Sequence, residues 1–190
     1  MKRHIIIPFI IAALSLMMAA TAAAQDTAYL SPDYVVQKGK APGMTWKLLS
    51  DKNGVKEYAI VFTQGDEVLS GISDFATQQH IVAARFTAIG ALKKVTFAWL
   101  DPARTQYKLK TLHQQVELVS LIGDIAEFKG NPVVHTHVGL GLSDGSMQGG
   151  HLIEGVTYPT VELFMTAFPT PLQKDVDKAT GLKLIFPELK

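Results

Sequence analysis

The sequence predicts an α+β domain: a mostly antiparallel β-sheet with one main helix packed on it. Three observations carry that expectation. Seven strand-like segments follow one another between residues 81 and 168, with turn residues at their breaks, among them Asp101-Pro102 and Ser143-Asp144-Gly145-Ser146. Only one stretch, GDEVLSGISDFATQQH, spaces its apolar residues as a helix does. The breaks between strands are short, which suits antiparallel hairpins rather than βαβ units.

The elements follow in order. Lys2 and Arg3 precede an apolar run from Ile5 to Met18, and Ala22-Ala23-Ala24 supplies small residues, so residues 1–24 are expected to be a signal peptide cut before Gln25. An uncleaved anchor is the rival, but the run lacks a positive flank at its far end. Cleavage would leave no stable membrane anchor and a periplasmic or secreted protein of about 165 residues, enough for a single domain. Residues 25–54, polar with Pro32 and Pro42, are expected as an extended lead-in. The segment VKEYAIVF reads as a strand, Asp66 as the helix N-cap, and Val68, Leu69, Ile72, Phe75 and Ala76 as the buried helix face. The strand-like segments are IVAARFTAI, KKVTFAWL, TQYKLKTL, QQVELVSLIGDIAEF, PVVHTHVGLGL, GGHLIEG and TVELFMTAF, with a turn at Ile89-Gly90 separating the first two. The domain proper is expected over residues 55–170, and residues 171–190 form a loop-like extension with an apolar end.

Charge excludes one large class of function. The whole chain has 18 basic and 17 acidic residues; losing Lys2 and Arg3 leaves 16 against 17, a formal charge of −1. With no Lys/Arg stripe there is no footprint for phosphate-dominated binding, so nucleic acid is an unlikely partner on these grounds. The absence of cysteine removes disulfides and thiolate metal ligands. No nucleophile elbow and no phosphate-binding glycine loop are present.

The chemistry concentrates in VVHTHVGLGLSDGSMQGGHLIEG, residues 133–155, which holds three of the six histidines. In a strand His135 and His137 share a face, about 6–7 Å apart. A two-residue turn at Asp144-Gly145 would set His135 opposite Glu154. A bulge among Gln148-Gly149-Gly150 would instead bring His151 opposite Gly139, onto the face of His137. Register alone therefore chooses between His135/His137/Glu154 and His135/His137/His151. Three imidazoles suit Zn²⁺, and two with a carboxylate suit Fe²⁺. A half-buried histidine strand with no metal is the other reading these residues allow. Arg85 is a charge within an apolar strand, expected to pair with Glu117 or Asp124 or else to reach an anionic ligand. Asp124 reads as a strand-end or bulge residue after Gly123.

Four pieces in order, IVAARFTAIGALKKVTFAW (81–99), VELVSLIGDIA (116–126), NPVVHTHVGLGLSDGSMQGGHLIEG (131–155) and VELFMTAF (161–168), resemble the PPC domain, named for its conservation in plants and prokaryotes. The resemblance runs from Glu57 to about Phe168. It implies a trimer-forming domain, a homotrimer with itself as partner, and it marks His135, His137 and His151 as the family's signature. The family's DNA-binding label comes from plant members that carry an Arg-Gly-Arg-Pro hook, which this chain lacks. The expected protein is thus an exported PPC-domain homotrimer with a divalent-metal site, zinc or else iron, in a binding or scaffold role toward a small-molecule ligand. The alternatives are a metal-dependent enzyme acting on a small molecule, with Glu154 or Glu117 as acid or base, and a DNA-associated protein by family label.

Overall fold

The computed structural model describes residues 28–186, so the expected signal peptide lies outside the described residues. The elements are β1 (Tyr29–Leu30), β2 (Thr45–Lys52), β3 (Val55–Phe62), α1 (Val68–Gln78), β4 (Ala83–Asp101), β5 (Gln106–Leu112), β6 (Val116–Phe128), β7 (Asn131–Gly141), β8 (Met147–Ala167), β9 (Lys174–Val176) and β10 (Lys183–Ile185). Eight strands form one antiparallel sheet in the order β1-β5-β4-β6-β7-β8-β3-β2, and β9 pairs with β10.

This overturns the α+β expectation: the domain is mostly β, with a single 11-residue helix among the described residues. The physical reason lies in strand length. Two expected strands merge into the 19-residue β4, and two more into the 21-residue β8. Gly90 is not a turn between strands; the register shifts there between Ala88 and Gly90, a bulge that bends β4 without ending it. Strands this long pair with different neighbours along their length. β4 pairs with β6 and also with β8, while β6 pairs with β7 and β7 with β8. Those four pairings close a ring, so the sheet curls around its own core, to which the one helix adds a face.

The core inside includes Phe86, Leu92, Val95, Leu118, Leu121, Ile125, Leu140, Leu152 and Leu163. The helix packs on β7 and β8, burying Leu69, Ile72 and Phe75 in the same core, with Phe75 edge-on to Tyr58 of β3 at 5.0 Å between ring centroids. Its cap is Glu67 rather than the expected Asp66. The Glu67 carboxylate accepts hydrogen bonds from the amides of Leu69 (3.0 Å), Ser70 (2.7 Å) and, across the fold, Gly155 (2.8 Å). Asp66 ties the preceding chain down, accepting from the amides of Gly43 and Thr63, both at 2.8 Å. With Gly39 N donating to Asp74 (2.7 Å) and Lys40 N to Ser70 (3.0 Å), the segment before β2 is clamped along α1. The expected lead-in thus holds β1, this clamped segment and β2.

At the other end, Leu172 O accepts from Glu127 N (2.8 Å) and Leu172 N donates to Val82 O, seating the β9–β10 hairpin at the end of β6. Both flanking segments therefore reach the same region of the sheet. No helix among the described residues is long and apolar enough to cross a membrane.

Candidate metal centre

The β7–β8 hairpin sets the site. Gly145 N donates to Leu142 O and Leu142 N to Ser146 O, both at 2.9 Å, so Leu142 and Ser146 close a three-residue loop. Gly145 takes φ +80°, the left-handed conformation such a loop requires, and Asp144 Oδ1 accepts from Ser146 N at 2.9 Å. The resulting register matches neither sequence expectation: His137 lies directly opposite His151, and Gly139 opposite Gly149. The backbones touch closely there, since a Cβ on Gly149 would lie 2.2 Å from Val138 O.

His135, His137 and His151 each place a ring nitrogen within 4.8 Å of the others. Ring centroids are 5.2–5.5 Å apart, and no pair is stacked face to face. Glu154 is not among these groups; it pairs with Lys94 at 2.6 Å. Glu117 lies opposite Gly141 and contacts Gln115 (3.4 Å), also outside the cluster. Arg85 stands opposite Asp124 in register but makes no ion pair with a described carboxylate, because Asp124 is engaged elsewhere.

That engagement reveals a residue whose role the sequence concealed. Asp124 Oδ2 lies 3.5 Å from His135 Nδ1, and Lys174 Nζ lies 2.9 Å from Asp124 Oδ1. The second contact is an ion pair off the line of a good hydrogen bond. Burial opposes ionisation of Asp124, yet the contacts with His135 and Lys174 outweigh it and hold its carboxyl below the usual range. A carboxylate on Nδ1–H leaves Nε2 of His135 to bind outward, the arrangement common behind metal-ligating histidines.

His151 is held from two further sides. The Tyr34 hydroxyl lies 3.0 Å from its Nε2, and Tyr107 stacks on the ring with centroids 4.6 Å apart and planes within 5°. Its Nδ1 is buried and has no hydrogen-bond partner. Burial, then the neighbouring His135 and His137 and Lys174, lowers the pKa of His151 to about 3, so the ring is neutral. Burial and His135 lower His137 as well. With Nε2 engaged by the Tyr34 hydroxyl, Nδ1 is left without a partner.

These residues fit a metal ion. A point equidistant from three atoms spaced at the 4.8 Å limit lies about 2.8 Å from each, so from that limit the rings would have to draw inward to reach the 2.0–2.1 Å of a Zn–N bond. Nothing in the sequence singled out Tyr34, Tyr107 or Lys174. Asp124 did carry a signal, a charge in the apolar run LIGDIAEF, but only the pairing of β6 with β7 sets it against His135.

The comparisons agree with this fold. No curated protein sequence matches the chain. A plant- and prokaryote-conserved (PPC) protein from Pyrococcus horikoshii is 31% identical, with a TM-score of 0.66 over 77% of this chain and 96% of its own. A protein from Ralstonia eutropha JMP134, provisionally named as DNA-binding, is 29% identical, with a TM-score of 0.66 over 74% and 95%. A metal-containing protein from Archaeoglobus fulgidus is 26% identical, with a TM-score of 0.64 over 75% and 98%. The model of the Plants and Prokaryotes Conserved domain (PCC, also written PPC) matches residues 49–169, a span that takes in the β-ring and all three histidines. The chain belongs to the Plants and Prokaryotes Conserved domain family.

Proposed function

We propose that the protein is an exported homotrimer that holds one divalent metal ion per chain at His135, His137 and His151 and uses it to bind a small molecule. One observation carries the metal: the buried, unpartnered Nδ1 of His151, in a triad whose nitrogens lie within 4.8 Å of one another. A buried polar atom without a partner costs about 1–3 kcal/mol, which a coordinated ion would offset. Three imidazoles favour zinc over iron. When bound, such an ion keeps a coordination position for water or ligand. The metal-containing Archaeoglobus relative supports the same reading.

Binding is preferred to catalysis because neither Glu154 nor Glu117 stands beside the triad as an acid or base. The trimer draws support from the family resemblance and from Ile89, Val119, Ile122 and Phe164, all more than half exposed on neighbouring strands β4, β6 and β8. Export rests on residues 1–24. The DNA-binding name of the Ralstonia relative supplies the second reading, tested by duplex binding whose affinity falls steeply with salt.

The deciding experiment is metal analysis of the mature protein purified from the periplasm without an affinity tag. About one zinc per chain is expected, lost in His135→Ala, His137→Ala and His151→Ala while the fold persists. A wild type that takes up no zinc or iron on incubation would overturn the metal reading. Recovery of the protein in the cytoplasm with residues 1–24 intact would overturn export.

A further inference from the structure

Two of the three histidines, His135 and His151, line a cleft of about 280 Å³. That is a volume for a small organic molecule. The matched domain adds Ser73 and Thr77 of α1 and residues 131–134 of β7, and two further stretches of lining come from outside it. Val35, Val36 and Lys38 come from the segment before the domain, and Leu182, Lys183 and Leu184 from the segment after it. Val35 is 86% exposed, an apolar side chain turned into open space beside the metal centre.

The charges in this cleft have one sign. Its described lining contains three lysines, Lys38, Lys174 and Lys183, and no carboxylate. Lys174 is spent on Asp124. Lys38 and Lys183 have no described carboxylate within ion-pair reach; Lys38 only donates to Thr77 at 3.4 Å, and Lys183 lies over the Phe128 ring. Aliphatic lining, two unpaired cations and two imidazoles of the triad together complement a small molecule with an apolar body and one negative end.

We infer that the segments flanking the domain form a selectivity pocket for a small organic monocarboxylate over the histidine triad. The apolar body lies between the valine and leucine walls, and the carboxylate is directed to Lys38, Lys183 and the metal centre. This deepens the proposed binding role and rests on it. The clamp along α1 fixes one wall and the Leu172 backbone contacts fix the other, so the pocket is built before ligand arrives.

The test is calorimetric titration of the mature protein with phenylacetate and hexanoate and with their uncharged amides, with zinc content measured on the same sample. The expectation is carboxylate binding at least about tenfold tighter than amide binding. That preference should be lost in Lys38→Gln/Lys183→Gln, whose side chains neither fill the core nor touch the histidines. Failure of both carboxylates to bind, equal binding of the amides, or an undiminished double variant would each overturn the pocket while leaving a measured zinc intact. A zinc-free sample would instead count against the metal reading. Lysine-dependent carboxylate binding to that sample would still support the pocket, and its absence would overturn it.

Discussion

Tyr34, Tyr107 and Asp124 hold two of the three histidines, and each acts on a ring nitrogen or a ring face. Tyr34 engages His151 through Nε2 and leaves Nδ1 without a partner. Burial raises the Tyr34 pKa, so the phenol stays neutral in that role. Removing the hydroxyl in Tyr34→Phe should weaken zinc binding about 10-fold, read by competition with a chelating dye. Asp124→Asn should weaken it by about 10- to 100-fold, because an amide is a poorer acceptor for His135 Nδ1–H and leaves Lys174 without its anion. A Tyr34→Phe protein with wild-type zinc affinity would mean the hydroxyl only packs. Of these residues, the histidines were legible because their spacing is local to one hairpin; the others lie up to 117 positions away from the ring they serve.

At the scale of elements, the helix cap and the β7–β8 pairing position the site. Glu67 joins the start of α1 to Gly155 on β8, and its carboxyl is raised by burial, with its backbone hydrogen bonds working against that shift. In Glu67→Ala the helix loses its cap and Gly155 N loses its buried acceptor, for an expected loss of about 2–4 kcal/mol in urea unfolding. A raised carboxyl pKa binds its proton more tightly in the folded state. Its contribution to stability therefore falls as pH rises through and above the ordinary glutamate range. Gly149→Ala would press a methyl group onto Val138 O and force β7 from β8 next to the His137–His151 pair. Loss of both zinc and about 2–4 kcal/mol of stability is expected. Zinc retained at wild-type level would show that the hairpin yields elsewhere. The strands were legible as segments, from alternation and turn residues. Their fusion was not, because a bulge and a turn use the same glycine.

For the whole molecule, the closed ring of β4, β6, β7 and β8 leaves two large apolar side chains, Ile122 and Phe164, exposed in one row of its outer face. His137, Ile122, Thr87 and Phe164 follow one another across β7, β6, β4 and β8. A homotrimer that covers this row would cover exposed His137 too, coupling assembly to the metal centre. Ile122→Lys and Phe164→Lys alter side chains 61% and 58% exposed, so the single chain should lose no more than about 0.5 kcal/mol. If the proposed trimer uses this face, sedimentation should show a trimer for the wild type and monomers for these variants. A trimer that survives both changes would place the interface on another face.

The sequence by itself determined the strand segments, the family and the histidine triad as one of two possible sets, since alternation, turn chemistry and short spacings are properties of neighbouring residues. It did not determine the fold class. Whether long strands lie flat under a helix or close on themselves depends on which edges pair, and pairing is decided by the packing of side chains far apart in the chain. The register that sets His151 opposite His137, the carboxylate behind His135 and the cleft walls drawn from both flanks were likewise decided by tertiary structure. Each is a contact between segments whose separation no local pattern records.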